Sequence, residues 1–346
     1  MEILVLGGTG AMGVSLVEIL ATRGDEVYVT SRQKRKDSGN VHYWCGDAHD
    51  MKWLKSKTAG YEFAAIVDFM FYDLETFRAN YRCLLAMTKH YVFLSSSRVY
   101  CDSPDKPITE TTPRLLDVSR DADFLATEEY ALTKAREEDI LRQTFNGNYT
   151  IIRPYVTYND ERLQLGILEK EAWLYRALRG RTIVFTADIA ACMTTLTHGR
   201  DVAEGIAAII GKEAAYGEAF HIVGAKSMKW QEVLEVYLDT LEQITGTRPK
   251  VKLLANSGKF SHAFGNPYAI WYDRLYNRVF DSTKIRCISG KSTYIGMREG
   301  LVKCLKSFIA KGAPFREKNI DWRLQAWMDR KTNEYSSITD IPSQKH

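Results

Sequence analysis

The fold of this chain is decided at its start, where residues 1–6 read MEILVL and residues 7–13 read GGTGAMG. The first run is apolar and has the length of a buried strand, and the amphipathic stretch at residues 14–23 has the period of a helix. A strand, a glycine-rich turn and a helix in this order direct backbone N–H groups and a helix N-terminus towards a pyrophosphate. The stretch therefore predicts a dinucleotide-binding unit.

The glycine spacing identifies the positions expected to contact that cofactor. Gly7, Gly10 and Gly13 form G-x-x-G-x-x-G rather than the commoner G-x-G-x-x-G. Because the pattern lies at the first strand–helix junction, it favours nucleotide binding over ordinary turns. The predicted cofactor contacts in this loop are Gly7, Gly10, Ala11, Met12 and Gly13.

Size and composition limit the remaining possibilities. The 346 residues are 45% hydrophobic and 26% charged, which suits a globular protein with one nucleotide-binding domain and a smaller companion. The net charge is +4, and the basic run at residues 32–36 is explained by a loop beside a dinucleotide ribose, so no nucleic-acid partner is predicted. The 6 cysteines have no metal-binding spacing, and no segment suits a membrane. We expect no metal, a reducing compartment and a cytoplasmic location.

Strand-like and helix-like segments alternate through the first half of the chain. This rhythm predicts an α/β fold with a Rossmann-type, doubly wound parallel sheet, whose ligand lies beyond the carboxyl ends of the strands. The predicted strands after the first are residues 26–30, 42–45, 63–68, 91–95 and 149–153. The predicted helices between them are residues 50–57, 74–89 and 128–143.

The rhythm changes after residue 158 to longer helical stretches at residues 165–178, 230–245 and 296–310. Short strands are still predicted at residues 182–185 and 219–223, so the chain should return to the sheet before it ends in a smaller, discontinuous C-terminal substrate lobe. We therefore predict a nucleotide-binding domain at residues 1–157 with returning segments at about 182–225, a substrate lobe at residues 158–181 and 226–330, and a flexible tail at residues 331–346.

A candidate catalytic pair lies in the last helix predicted for the first half of the chain. Tyr130 and Lys134 are four residues apart, which places a phenol and an ammonium on one helical face. A Y-x-x-x-K pattern alone arises easily by chance, and the serines Ser95, Ser96 and Ser97 could simply cap a strand. The joint occurrence of these features behind a glycine cradle favours a catalytic site.

Taken together, these motifs resemble the extended short-chain dehydrogenase/reductase superfamily, in its nucleotide-sugar epimerase, dehydratase and reductase branch. The resemblance covers roughly residues 1–225. It is carried by GGTGAMG at 7–13, GD at 46–47, VFLSSSRVY at 92–100, YALTK at 130–134, RP at 153–154 and HGRDVA at 198–203.

The resemblance implies a Ser–Tyr–Lys mechanism with Ser96, Tyr130 and Lys134 as the catalytic residues. A tyrosine, with a reference pKa near 10, needs a nearby cation to exchange a proton at neutral pH. Lys134 supplies that charge, and in the family this lysine also binds the nicotinamide ribose. Ser96 would hydrogen-bond the substrate oxygen and stabilise alkoxide charge.

The cofactor choice depends on the end of the second strand. An acidic residue there accepts hydrogen bonds from the ribose 2′-hydroxyl of NAD, but this chain has Ser31 and Arg32 and no carboxylate. A hydroxyl and a guanidinium suit a 2′-phosphate, so NADP is predicted, with NAD as the alternative. Asp47 resembles the family residue that meets the adenine.

Several reactions remain open. Family 4,6-dehydratases carry an Asp-Glu pair after the catalytic threonine, whereas this chain has Ser97 and Arg98, which disfavours dehydration. An NADP-dependent reductase of a keto-sugar is preferred, and an epimerase with tightly bound NAD is the alternative. A non-catalytic regulator, or a relative of atypical members that bind RNA, is disfavoured because Tyr130 and Lys134 are both present.

A nucleotide-sugar substrate would need a contact for its diphosphate. Arg274 and Arg278 lie four residues apart among aromatic residues, so on a helix they would share a face and could clamp a diphosphate. A solvated helix face is the competing explanation. Thr194 occupies the position where the family usually carries a phosphate-binding arginine.

The resemblance also implies a homodimer through the helices predicted at residues 74–89 and 128–143.

Overall fold

The central feature of the molecule is one parallel sheet. The computed structural model describes residues 1–144, 147–291 and 293–334. Within them, 7 strands form a sheet, in the spatial order β13 (Ala219–Ile222), β6 (Tyr149–Pro154), β5 (Tyr91–Leu94), β4 (Ala65–Asp68), β1 (Glu2–Leu6), β2 (Glu26–Ser31) and β3 (Val41–Cys45). Val5 on the first strand pairs with Val29 on one side and Val67 on the other. The chain therefore crosses over between parallel neighbours, as the alternating sequence pattern predicts.

The bounds of the sheet strands agree closely with the sequence prediction. They are β1 (Glu2–Leu6), β2 (Glu26–Ser31), β3 (Val41–Cys45), β4 (Ala65–Asp68), β5 (Tyr91–Leu94), β6 (Tyr149–Pro154) and β13 (Ala219–Ile222). The remaining strands are short pairs: β7 (Thr157–Tyr158) with β12 (Thr197–His198), β8 (Gln164–Leu165) with β9 (Leu168–Glu169), β10 (Ile183–Thr186) with β15 (Val251–Leu254), and β11 (Met193–Thr194) with β14 (Met228–Lys229).

The helices of the first half are α1 (Gly13–Thr22), α2 (Met51–Thr58), α3 (Leu74–Ala86), α4 (Leu115–Val118), α5 (Ala122–Leu125) and α6 (Tyr130–Arg142). Those that follow are α7 (Lys170–Ala177), α8 (Ala187–Ala191), α9 (Gly199–Ile209), α10 (Trp230–Thr245), α11 (Gly258–Phe264), α12 (Pro267–Ala269), α13 (Thr283–Ser289), α14 (Met297–Ala310) and α15 (Trp322–Thr332).

The central strands of the sheet are buried on both faces, which explains why β1, β4 and β5 are mostly apolar. Residues 3–6 of β1 are fully buried and alternate between two core clusters. On one face, Leu16 and Leu20 of α1 pack with Ile206 of α9. On the other, residues of α2 and α3 such as Leu54 and Phe77 cover the sheet.

The chain divides into two compact units. One comprises Met1–Asn159, Thr195–Ser227 and Arg278–Met297, and the other comprises Asp160–Thr194, Met228–Asn277 and the chain from Arg298. The strand predicted at residues 182–185 forms as β10, but it pairs with β15 in a separate small sheet. A short apolar run does not reveal its pairing partner, so the expected return to the main sheet at this point does not occur.

The predicted flexible tail begins inside an ordered segment. Lys331 and Thr332 belong to α15, and the Glu334 carboxylate accepts hydrogen bonds from the backbone N–H and hydroxyl of Thr182. The rest of that prediction, residues 335–346, lies outside the described residues. Among the residues described, no helix has the length and apolar character needed to cross a membrane.

Candidate active site

The glycine-rich loop between β1 and α1 is the candidate cradle for an anion. Gly7 has a φ of +69°, a conformation that residues with a Cβ rarely adopt, and its N–H donates to Thr30 Oγ1 at 3.0 Å. A Cβ on Gly13 would lie 2.6 Å from the carbonyl carbon of Gly8, so α1 can begin this close to the loop only with glycine there. A Cβ on Gly10 would meet no atom within 4 Å, which leaves open space at the centre of the loop.

The N-terminus of α1 is suited to a phosphate. No side chain caps it at Met12, whereas Asp50 and Asp73 cap α2 and α3 through hydrogen bonds to their first-turn N–H groups. The first turn of α1 also contains no acidic residue. The cradle and the uncapped helix end therefore fit a cofactor pyrophosphate, which would replace the missing cap.

The carboxyl end of β2 carries the groups expected near the cofactor ribose. Ser31 is buried and accepts a hydrogen bond from Gln33 N at 3.2 Å, and Arg32 is exposed immediately after it. Asp47 follows β3 and accepts hydrogen bonds from the backbone and ring of His49. These hydrogen bonds hold the pKa of Asp47 below its usual value, and the nearby charge of Arg32 adds to the effect.

The three serines after β5 have different partners. Ser95 donates to Glu138 Oε1 at 2.6 Å, and Ser97 donates to the carbonyl of Arg153 at 2.7 Å. Ser96 accepts a hydrogen bond from Arg98 N at 3.2 Å, and its hydroxyl hydrogen is donated to no group in the described part of the chain. Ser96 is therefore the serine of the three that remains able to donate to a substrate oxygen.

Tyr130 and Lys134 lie on α6, as the sequence predicts, and share a contact. The Tyr130 ring stacks on Phe71 with centroids 5.8 Å apart, and Lys134 Nζ lies 5.6 Å from the centroid of the same ring. The guanidinium of Arg98 lies 5.4 Å from the centre of the Tyr130 ring. Arg98 therefore lies beside the ring of Tyr130, and Lys134 lies beside the ring of Phe71, on which Tyr130 stacks.

Lys134 is buried beside acidic groups. Its side chain is 2% exposed, and its Nζ lies 2.9 Å from Oε2 of the fully buried Glu137. Burial raises the pKa of Glu137 to about 7, against the opposing charge of Lys134. Burial also raises the pKa of Asp68, although the phenols of Tyr72 and Tyr91 donate hydrogen bonds to that carboxylate.

Glu138, the next residue on α6, ties the helix to the sheet. Arg153 on β6 donates to both its oxygens, from Nε at 2.7 Å and from Nη2 at 2.5 Å. Arg114 and Ser95 add further hydrogen bonds. The attraction of Arg153 lowers the pKa of Glu138 despite complete burial. This cluster positions the helix that carries Tyr130 and Lys134.

Arg274 and Arg278 do not form the predicted shared helical face. The single π-helical turn Ile270–Arg274 ends at the first of them, so Arg278 lies beyond the helix. Arg274 is buried, pairs with Asp273 and donates to the carbonyl of Gly166. Arg278 is also buried and donates to the carbonyl of Tyr100 at 3.1 Å. Their binding of a diphosphate stays a prediction, to which these contacts add no support.

Sequence reasoning missed three residues around the catalytic pair. Phe71 follows the fourth strand and is 55% exposed, although it contacts Tyr130 and Lys134. In the sequence, Arg98 stands out only because it occupies a position where family dehydratases carry an acidic residue. Glu137 carried a signal, since a carboxylate three residues after Lys134 falls on the same inward face of α6.

The chain is similar in sequence and in fold to known proteins. The sequence profile of the NAD dependent epimerase/dehydratase family matches residues 3–222, which is more than half of the chain. One curated relative is the chloroplast stem-loop binding protein of 41 kDa b from Arabidopsis thaliana, 26% identical over 241 residues. That match covers 65% of this chain and 59% of the relative, so the chain spans about three fifths of its length.

Solved structures confirm the predicted fold. The dTDP-glucose 4,6-dehydratase of Bacillus anthracis, in complex with NAD, has a TM-score of 0.68 at 17% identity, with 93% of this chain and 98% of that chain covered. The UDP-glucose 4-epimerase of Thermus thermophilus, also with NAD, has a TM-score of 0.67 at 19% identity, with 91% and 100% covered. At these identities the likeness shows the fold alone.

Proposed function

The chain belongs to the NAD-dependent epimerase/dehydratase family, and from that premise we propose that it is an NADP-dependent reductase of a keto-sugar carried on a nucleotide. The observation that carries the proposal is the exposed Arg32 after β2, where the chain has no carboxylate to bind an NAD ribose. The structural neighbours named above act, by their names, on nucleotide-linked sugars, which supports this substrate class.

The side chains of the site suit a carbonyl reduction. Bound NADPH would supply the hydride, while Tyr130 would donate its phenolic proton to the carbonyl oxygen of the substrate. Ser96 would donate a hydrogen bond to the same oxygen as negative charge develops. Lys134 would stabilise the phenolate left on Tyr130, because the two residues share one face of α6. Arg98, which lies beside the Tyr130 ring and is paired with Glu129, would add a smaller contribution.

We also propose two features of organisation that the resemblance implies. The second compact unit, which includes residues 160–194 and 228–277, would bind the sugar nucleotide. Two copies of the chain would pair through α3 and α6 as a homodimer.

Replacing Arg32 tests the cofactor choice. Arg32→Ala should weaken NADPH binding by about 1.5–3 kcal/mol, because a charge-assisted hydrogen bond to the 2′-phosphate is lost, while NADH binding changes little. Titrating the intrinsic fluorescence of NADPH and NADH with the purified variant measures both affinities. Lys36→Ala removes a charge from the same exposed run and serves as the control. Equal weakening of both cofactors, or of neither, would contradict a 2′-phosphate pocket at Arg32.

The reaction itself is tested by mixing purified protein with NADPH and 4-keto sugar nucleotides. We expect stoichiometric oxidation of NADPH and formation of a hydroxyl sugar. Tightly bound NAD that co-purifies with the protein, together with interconversion of sugar epimers and no net NADPH consumption, would instead support the epimerase alternative.

A second candidate function is the binding of stem-loop nucleic acid. It is favoured by the name of the curated relative and by the exposed basic residues Arg32, Lys34, Arg35 and Lys36. If this function applies, a stem-loop RNA should bind with an affinity that falls steeply as the salt concentration rises. It should also compete with NADPH for the basic segment at residues 32–36. Tight NADPH binding that a stem-loop RNA leaves unchanged would favour the reductase.

A further inference from the structure

Glu137 is buried on α6 with fewer partners than its neighbour Glu138. Both carboxylates are fully buried, but Glu138 is held by Arg153, Arg114 and Ser95. Glu137 has the ammonium of Lys134 as its ion-pair partner, with Nζ 2.9 Å from Oε2, but its Oε1 has no hydrogen-bond donor among the described residues. A carboxylate without such donors is costly to bury, so the position needs an explanation beyond packing.

The groups that face Glu137 come from α6, β4, β5 and the segment between β4 and α3. Lys134 and Glu138 lie on its own helix, and Asp68 ends β4. Burial is the main cause of the raised pKa values of Tyr72 and Tyr91, and both phenols lie close enough for the charge of Glu137 to add to the rise. Lys134 Nζ is 2.9 Å away, and its charge also acts on Asp68. In this part of the described structure, two carboxyl groups, Asp68 and Glu137, therefore face one ammonium.

This composition makes the cluster a proton-binding unit. With both carboxyls ionised, a buried site would carry a net negative charge, which burial and like-charge repulsion disfavour. The burial of Glu137 raises its pKa to about 7, and the charge of Asp68 adds to the rise. The cluster should therefore bind or release one proton near neutral pH, as a coupled group.

We propose that Glu137 is a positioning residue whose own ionisation decides how much of the Lys134 charge acts on the Tyr130 phenol. The inference rests on the proposed function for the roles of Tyr130 and Lys134. Both of those side chains contact Phe71, and their spacing of four residues on α6 places them on the same face of the helix.

The consequence for the reaction has a definite direction. When Glu137 is protonated, the charge of Lys134 is uncompensated and stabilises the Tyr130 phenolate. When Glu137 is ionised, the ion pair is neutral overall and the phenol keeps its proton to higher pH. Glu137 therefore extends the pH range over which Tyr130 can act as the acid in a reduction.

The experiment follows the ionisation of Tyr130 in the free protein. Tyrosinate absorbance is titrated in the wild type and in Tyr130→Phe, and the difference isolates Tyr130. The titration is then repeated with Glu137→Gln and with the double variant Glu137→Gln/Tyr130→Phe. We expect the Tyr130 midpoint to fall by about one pH unit in the Glu137→Gln background. Asp139→Asn is the matched control. Asp139 lies on the same helix, is partly exposed and pairs with Arg114, so its replacement should leave the Tyr130 midpoint unchanged.

A second measurement tests the ionisation of Glu137 itself. Its pKa is about 7 in the folded chain against an ordinary value of 4.5, so between these values the folded state binds more protons than the unfolded state. The wild type should lose stability as pH rises across this window, and Glu137→Gln should lose less. Denaturant unfolding at a series of pH values measures both.

Each outcome decides the proposal. An unshifted Tyr130 midpoint in Glu137→Gln would overturn it, as would an unchanged pH dependence of stability. Glu137→Leu, which fills the site with an apolar side chain, should give the same Tyr130 shift if Glu137→Gln folds poorly. Failure of both variants to fold would assign Glu137 to the fold and overturn the proposal. Neither measurement uses a substrate, so failure of the reductase assay alone would count against the proposed function and not against this inference.

Discussion

Tyr130→Phe should slow turnover by roughly 10²–10⁴-fold, at least about 3 kcal/mol in the activation barrier, because it removes the only proton that the phenol can donate. The ring itself remains and can still stack on Phe71, so the local packing should persist. NADPH affinity should therefore stay close to that of the wild type. Single-turnover oxidation of NADPH with the keto-sugar substrate measures the rate, and fluorescence titration measures the affinity.

Tyr81→Phe is the control for this variant. Tyr81 lies on α3 in the same unit, and its hydroxyl accepts a hydrogen bond from Arg82. The substitution therefore also removes one phenolic oxygen, but from a different helix. It should leave the rate unchanged. A Tyr130→Phe enzyme that turns over nearly as fast as the wild type would show that the proton comes from another group.

Arg153→Met should destabilise the fold by about 3–5 kcal/mol, because it leaves the buried Glu138 without its main cation. Arg153 is 1% exposed and holds both oxygens of Glu138, whereas Arg114 and Arg142 each lie 3.4 Å from one of these oxygens. Urea unfolding followed by circular dichroism measures the change. The double variant Arg153→Met/Glu138→Leu should recover much of the loss, since no charge is then left buried without a partner.

Arg248→Ala provides the comparison on the surface. Arg248 makes ion pairs with Glu235, Asp239 and Glu242, but its side chain is 39% exposed, so its loss should cost no more than about 1 kcal/mol. If Arg153→Met lowers the free energy of unfolding no more than Arg248→Ala does, the buried pair of Arg153 and Glu138 contributes little to stability. Another contact would then anchor α6 to the sheet.

The early sheet and the helix that carries Tyr130 and Lys134 could be predicted because their signals are local. The strand bounds of β1 to β6 follow from short apolar runs between turn residues, and the spacing of Tyr130 and Lys134 places them on one face of any helix. The glycine loop was also predictable, since a strand–turn–helix order determines where its N–H groups point. These features depend on residues close together in the chain.

The remainder needed contacts between distant residues. Residues 182–185 were correctly predicted as a strand, but only the structure shows that its partner is β15. Arg274 and Arg278 share a face only if one helix includes both, and the helix ends at the first. Burial then places both guanidiniums against acceptors within the chain.

The sequence by itself determined the family, the doubly wound sheet and the positions of Ser96, Tyr130 and Lys134, because backbone propensity and residue spacing act over a few residues. Tertiary structure alone decided which serine keeps a free donor, that Phe71 and Arg98 surround Tyr130, and that Glu137 pairs with Lys134 beside Asp68. Those properties arise from burial and from charges that meet across β4, β5 and α6. The energy with which each charge acts on its neighbours depends on how completely the fold excludes water around it, and no local sequence pattern encodes that exclusion.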